Sequence, residues 1–299
     1  TSKGASVLDV LSLAEGSSGT FGTLMVNGAI DVDASILHGA IAKGGAATVT
    51  NGGEIQSTGK TELASLTMTD AKDSAFDELT VTGDVLLTNT TLDADLRNAG
   101  NTTLANATLT STGNTTLAAY TQTNGAASFG HLNAKTVDVT EGAFATAGLT
   151  AEEAAFKGAG SQVTLNGLTT VGTLTATGTN VKMSDLVITD ALTNDSTLTG
   201  KTFKAQGADG KAVSVTNTGT IRFDGASGSV AYSQTAGALE VAKNGFTDST
   251  FDVKGGTVKT NGLGKGNAWT LGGVKDASVL MTLDRLTSEG SVSINEGAT

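Results

Sequence analysis

Apolar residues recur two apart along most of the chain: Ile30/Val32, Leu79/Val81, Val85/Leu87, Val137/Val139, Val163/Leu165 and Val181/Met183, then Leu186/Ile188, Val213/Val215, Ile221/Phe223, Leu239/Val241 and Val292/Ile294. Period-two alternation sends alternate side chains to one face of a strand and leaves the intervening Thr, Ser, Asp and Lys on the other. The pattern therefore predicts many short, half-buried strands. Turn signals separate the runs at close intervals, among them Asn27-Gly28, Asn51-Gly52-Gly53, Asn124-Gly125, Asn166-Gly167, Asn244-Gly245 and Asn261-Gly262. Asn and Gly suit these places because both tolerate positive φ.

Strands and turns at this density build a sandwich, a set of hairpins or a solenoid. Internal repetition favours the last. Gly100-Asn101-Thr102-Thr103-Leu104-Ala105 returns as Gly113-Asn114-Thr115-Thr116-Leu117-Ala118, with a relative upstream at Thr88-Asn89-Thr90-Thr91-Leu92. Val49-Thr50-Asn51-Gly52-Gly53-Glu54-Ile55 likewise recurs as Val215-Thr216-Asn217-Thr218-Gly219-Thr220-Ile221. Degenerate copies of one strand-turn unit mark stacked coils, in which no unit can bury its apolar face alone. The fold expected is an all-β parallel β-helix (β-solenoid) over residues 21–299, with residues 1–20 as an N-terminal cap or entry segment. At roughly 20–25 residues per coil it would have about 12–15 rungs. Antiparallel β-sandwich domains are the alternative.

Two stretches also fit helices. Leu63 to Leu79 can be drawn as an amphipathic helix capped by Asp70, and Thr150-Ala151-Glu152-Glu153 resembles a capping box, but strand and loop of further rungs are the favoured reading. Ser6 to Glu15 is compatible with a short helix covering the first rung.

Composition agrees with a stacked coil. The chain has 299 residues, no Pro, 40 Gly and only 4% aromatic residues. A coil whose backbone pairs with neighbours about 4.8 Å above and below has little place for a residue without an N–H, and a narrow interior is expected to admit Val, Leu, Ile and Ala but few rings. The absence of Cys excludes disulfides, thiolate nucleophiles and Cys-ligated metals. The formal net charge of −11, with Arg97, Arg222 and Arg285 scattered and no run of Lys, argues against nucleic acid as a partner. No apolar run is long enough for a membrane-spanning helix, and no leader pattern opens the chain, as in a mature product or an excised fragment.

Candidate chemistry is sparse. His38 and His131 are the only histidines, and neither lies in a zinc-binding His-Glu-x-x-His motif. Gly225-Ala226-Ser227-Gly228-Ser229 comes nearest to a nucleophile elbow but has Ser at its fifth position. Asp31/Asp33 and Asp93/Asp95 each put two carboxylates on one strand face, the arrangement a polysaccharide-cleaving β-helix would need in a cleft. Gly262-Leu263-Gly264-Lys265-Gly266 looks like a phosphate loop but lacks the Gly-Lys-Ser/Thr ending and a following helix. Trp269 is either an exposed contact or a rung filler, and the sequons at Asn89, Asn101, Asn106, Asn114 and Asn194 are expected wherever Asn and Thr abound. No catalytic residue, cofactor or metal site is assigned, and the chain is read as a non-enzyme.

The Asn-x-Gly-x-Ile motif at Asn51, its counterpart at Asn217, the Asn-Thr-Thr-Leu units and the closing Gly290-Ser291-Val292-Ser293-Ile294-Asn295-Glu296-Gly297-Ala298 resemble the passenger domains of bacterial autotransporters. That resemblance implies a right-handed β-helical stalk, on the surface of a Gram-negative bacterium or secreted, exported through an outer-membrane barrel absent from this stretch. It also implies adhesion or self-association in aggregates and biofilms, with surface glycans, proteins or further copies as partners. A cruder likeness to bacterial surface-layer proteins makes a lattice or fibre subunit the second reading. A polysaccharide-degrading enzyme is the third.

Overall fold

The computed structural model describes residues 1–273, 278–284 and 291–296. Those residues form 25 β-strands and one short 3-10 turn, Ala208–Gly210, with no α-helix among them. The chain is a parallel β-solenoid of about 15 turns. It divides into two compact units, Thr1–Thr146 and Ala147–Thr299, and in both the paired strands run parallel, so the sandwich alternative fails.

In the first unit the strand Glu54–Thr69 shows how one coil is built. Its inward side chains fall in three short runs, Ile55 and Ser57, Thr61 and Leu63, then Leu66 and Met68, and the alternation breaks where the backbone turns a corner. Thr91 pairs with Thr108 and Leu66 with Val85, so these coils are shorter than the repeat expected from sequence. A perimeter of three brief runs needs no more chain.

One corner has a stacked side chain on successive coils. Ala34, Asn51, Asp70, Asn89 and Asn106 all adopt left-handed φ, between 47° and 53°. The Asn51 amide donates to Asp33 Oδ1 at 2.7 Å, Asn89 to Asp70 Oδ1 at 2.9 Å, and Asn106 to Asn89 Oδ1 at 2.8 Å. Asn and Asp serve here twice, relieving the strain of αL and linking one coil to the next. Asp70 is thus a corner residue between two strands, not a helix cap. Ser6 to Glu15 likewise contains strand, Ser2–Leu8 and Leu11–Leu13, where a short helix was considered, and Thr150 to Glu153 lie in the strand Leu149–Lys157.

In the second unit most coils keep the short repeat, as where Val163 pairs with Val181. Two are longer, those in which Leu198 pairs with Ile221 and Val258 with Met281. The first insertion holds the 3-10 turn, placed outside the strands where extra residues do not disturb the pairing.

The cores differ from the expected interior in one respect. Every Tyr, Trp and Phe except Phe21 is buried. In the first unit Tyr120, Phe129 and Phe144 pack with ring centroids 5.6–5.8 Å apart. In the second, Phe251 and Trp269 pair in register and stack at 3.7 Å with planes 5° apart. A ring fits this interior when neighbouring coils offer another ring or small residues beside it, so aromatics are few but internal.

Candidate functional surface

The residues singled out for chemistry are drawn into structural roles. Asp33 accepts from Thr50 Oγ1 at 2.9 Å as well as from Asn51, and Asp95 Oδ1 accepts from Ser111 Oγ and Gly113 N, both at 2.8 Å. In each pair one carboxylate therefore braces the next coil. His38 and His131 are exposed on separate strands, Ile36–Thr50 and Gly125–Val139. Gly225 to Gly228 end the strand Thr220–Gly228, and Ser229 Oγ donates to the Asp248 carbonyl, so there is no sharp strand-to-helix elbow to raise a nucleophile. In the glycine-rich loop the Leu263 carbonyl accepts from Asn267 Nδ2 at 2.8 Å and Trp269 Nε1 at 3.0 Å. That loop presents an inward carbonyl to its own core, and Trp269 is a rung filler. Of the sequon asparagines, Asn194 is buried while the other four are exposed. Arg285, and Gly290, Gly297 and Ala298 of the closing motif, lie outside the described residues.

Charges of both signs meet in one groove of each unit. In the second, a groove of about 430 Å³ is lined by Arg222, Asp224, Glu240, Lys259 and Asp284, which come from successive coils. Arg222 Nη2 lies 2.7 Å from Glu240 Oε2, and Arg222, Glu240 and Lys259 are in register. In the first unit Lys60, Glu62, Glu78, Asp95 and Arg97 line about 220 Å³, with Lys60 and Glu78 3.6 Å apart. In the second unit the sign alternates up the parallel ladder, which turns like-charge repulsion between coils into attraction, whereas in the first Glu78 stands in register with both Lys60 and Asp95. Among the described residues no group of three His, Asp or Glu is placed to hold a metal ion.

Each unit also displays hydroxyl groups in register on one sheet face. In the first unit Asp31, Thr48, Thr67, Leu86, Thr103, Thr121 and Asp138 stand one above another in register. A second rank, Asp33, Thr50, Thr69, Thr88 and Ala105, runs beside it. In the second unit Thr173, Ala191, Ser214, Ala231, Thr250 and Ala268 form one rank and Thr175, Thr193, Thr216, Ser233, Asp252 and Thr270 the other. Both faces follow from Thr-x-Thr-like spacing, in which the middle residue points inward.

Behind the second unit's face lies a buried amide ladder that sequence reasoning missed. Asn194 Nδ2 donates to Asn217 Oδ1 at 2.8 Å, and Asn217 Nδ2 donates to Tyr232 Oη at 3.0 Å and to the Ala238 carbonyl at 3.1 Å. Gln234 Nε2 reaches the Gly255 carbonyl at 2.9 Å. In the first unit Gln122 Nε2 donates to the carbonyls of Gly125, Glu141 and Ala143. Burial pushes the phenols of Tyr120 and Tyr232 well above their ordinary range, opposed at Tyr232 by the Asn217 bond. A stack of amides is the signal that was available: Asn217 and Gln234 each sit at an inward position of an otherwise apolar alternation.

Compared with protein-family models, with curated proteins and with solved structures, the chain matches none.

Proposed function

We propose that the chain is a structural surface protein that holds partners, or further copies of itself, on the hydroxyl-bearing sheet face of each unit. The observation that carries this reading is the register of the outward Thr and Ser ranks over consecutive coils, backed by closed hydrogen-bond networks inside. Each outward hydroxyl offers one weak bond, and a repeated array multiplies weak bonds without a deep pocket. The resemblance to autotransporter passengers adds an extracellular setting, with surface glycans, surface proteins or a second copy as the partner and no catalytic step.

Beads coated with the chain provide the test. They should clump with one another or bind cell-surface material, and replacing Thr175, Thr193 and Thr216 together by Lys should abolish this on the second unit's face while circular dichroism stays unchanged. Clumping and binding that persist in folded variants altered on both faces would remove the hydroxyl ranks from the account.

A further inference from the structure

The first unit's two ranks have features that a general adhesive surface does not require. From Thr48 to Thr121 in one rank, and from Thr50 to Ala105 in the other, no position carries a charge, in a chain with 47 charged residues (18 Lys+Arg and 29 Asp+Glu). Carboxylates stand only at the ends, at Asp31, Asp33 and Asp138. No bulge interrupts the pairing of these segments, which run Ala47 to Thr50, Leu66 to Thr69, Val85 to Thr88 and Thr102 to Ala105. Elsewhere hydroxyls are spent on neighbouring coils, as where Ser111 Oγ donates to Asp95 Oδ1 at 2.8 Å. On this face Thr48, Thr67, Thr69, Thr88, Thr103 and Thr121 have side chains with no hydrogen bond to the described residues, and Leu86, in their midst, is 40% exposed.

We propose that this face binds the surface of ice. The inference rests on reading the face as a contact surface and names its ligand as crystalline water. The ranks repeat at about 4.8 Å between coils and about 6.7 Å between residues two apart on one strand. The shorter spacing lies close to the oxygen repeat along the a axis on the prism face of hexagonal ice, and the longer approaches the repeat along c. Threonine suits the task because its branched Cβ restricts χ1, so the array is ordered before contact. Each hydroxyl can hold one lattice water, while the methyl groups and Leu86 sit between waters without competing for their bonds. A neutral lattice offers nothing to an ion, and a charged side chain here would keep its own hydration shell between protein and crystal. Many such contacts, each weak, then act together on an extended rigid surface.

The test uses the whole chain, fluorescently labelled, in a slowly growing ice front, with freezing hysteresis and crystal shape recorded alongside. The wild type should enter the ice, facet the crystals and hold freezing below melting. Thr67→Lys should lower incorporation and hysteresis by roughly tenfold or more, because one long charged chain lifts the whole array from the lattice. Thr112→Lys, on an exposed corner away from both ranks, should leave them unchanged. If Thr67→Lys fails to fold, Thr67→Val and Thr67→Ser provide the same comparison, with Val retaining the methyl array and more of the activity. Exclusion of the wild-type chain from ice, or equal incorporation of folded Thr67→Lys, overturns the inference. Clumping of beads in liquid buffer alongside exclusion from ice would sink this inference and leave the adhesive reading standing.

Discussion

The hydroxyl of Tyr232 donates to Gln234 Oε1 at 2.6 Å, two residues along the same strand, and Tyr120 makes the same bond to Gln122 at 2.8 Å in the other unit. Inward side chains two apart lie side by side, so each Tyr-x-Gln pair fills the core with a ring and closes its own polar ends. The Gln amide then caps carbonyls of the following turns. These two tyrosines are the only ones in the chain.

That pairing predicts an alkaline limit to stability. Both phenols have folded-state pKa values raised by burial above the unfolded value of about 10. The folded state therefore keeps its protons longer than the unfolded state, so their stabilisation is complete below about pH 10 and falls as pH rises beyond it. Absorbance at the phenolate band should show no ionisation in the native protein until it unfolds, whereas both tyrosines should titrate near 10 in strong denaturant. Smooth native titration of either phenol near 10 would mean that its ring is not sealed in the core.

Asn217 is fully buried and joins Asn194, Tyr232, Gln234 and the Ala238 carbonyl. Asn217→Ala removes several bonds at once and leaves the Asn194 amide without one of its acceptors. Each buried polar group left unmatched costs about 1–3 kcal/mol, so a loss of roughly 3 kcal/mol is expected. Urea unfolding measures it. Lys60→Ala is the contrast: the Lys60–Glu78 pair is largely exposed, and its loss should cost no more than about 0.5 kcal/mol.

Glycines divide in the same way. A Cβ on Gly237, where φ is +75°, would lie 1.8 Å from the Gly219 carbonyl oxygen of the preceding coil, whereas one on Gly225 would meet nothing within 4 Å. Gly237→Ala should therefore destabilise by at least about 2 kcal/mol, through both αL strain and a backbone clash that only separation of the coils relieves. Gly225→Ala should stay within about 0.5 kcal/mol of wild type. Thermal unfolding of the two variants side by side checks the ordering.

Much of the fold was readable in sequence because a solenoid repeats its instructions. Ile30, Val32, Val85 and Leu87 announce inward positions by alternation, and Asn51 announces a corner by its tolerance of positive φ. The coil length was not readable, because Ser57, Thr61, Asn98 and Thr102 look like outward residues yet close corners from inside. The amide ladder escaped for the same reason: Asn194, Asn217 and Gln234 are polar types in buried places, and only the stacking of distant coils shows that each finds a partner. The hydroxyl ranks needed that register too, since Thr67, Leu86 and Thr103 become neighbours only once the coils are stacked.

Trp269 offers a local reading of the second unit. Its ring is 2% exposed, stacked on Phe251, and its indole N–H is bonded to the Leu263 carbonyl of the glycine-rich loop. As the only Trp, it reports on this one place. Native emission should be blue-shifted and shielded from acrylamide, and both properties should vanish on unfolding. Phe251→Ala removes the stacked partner and leaves a cavity beside the indole, for which a loss of about 3–5 kcal/mol is expected. In that variant the emission should move to the red and quenching should rise even under native conditions. An indole already quenched as freely as free tryptophan in the wild type would place the loop and this rung apart.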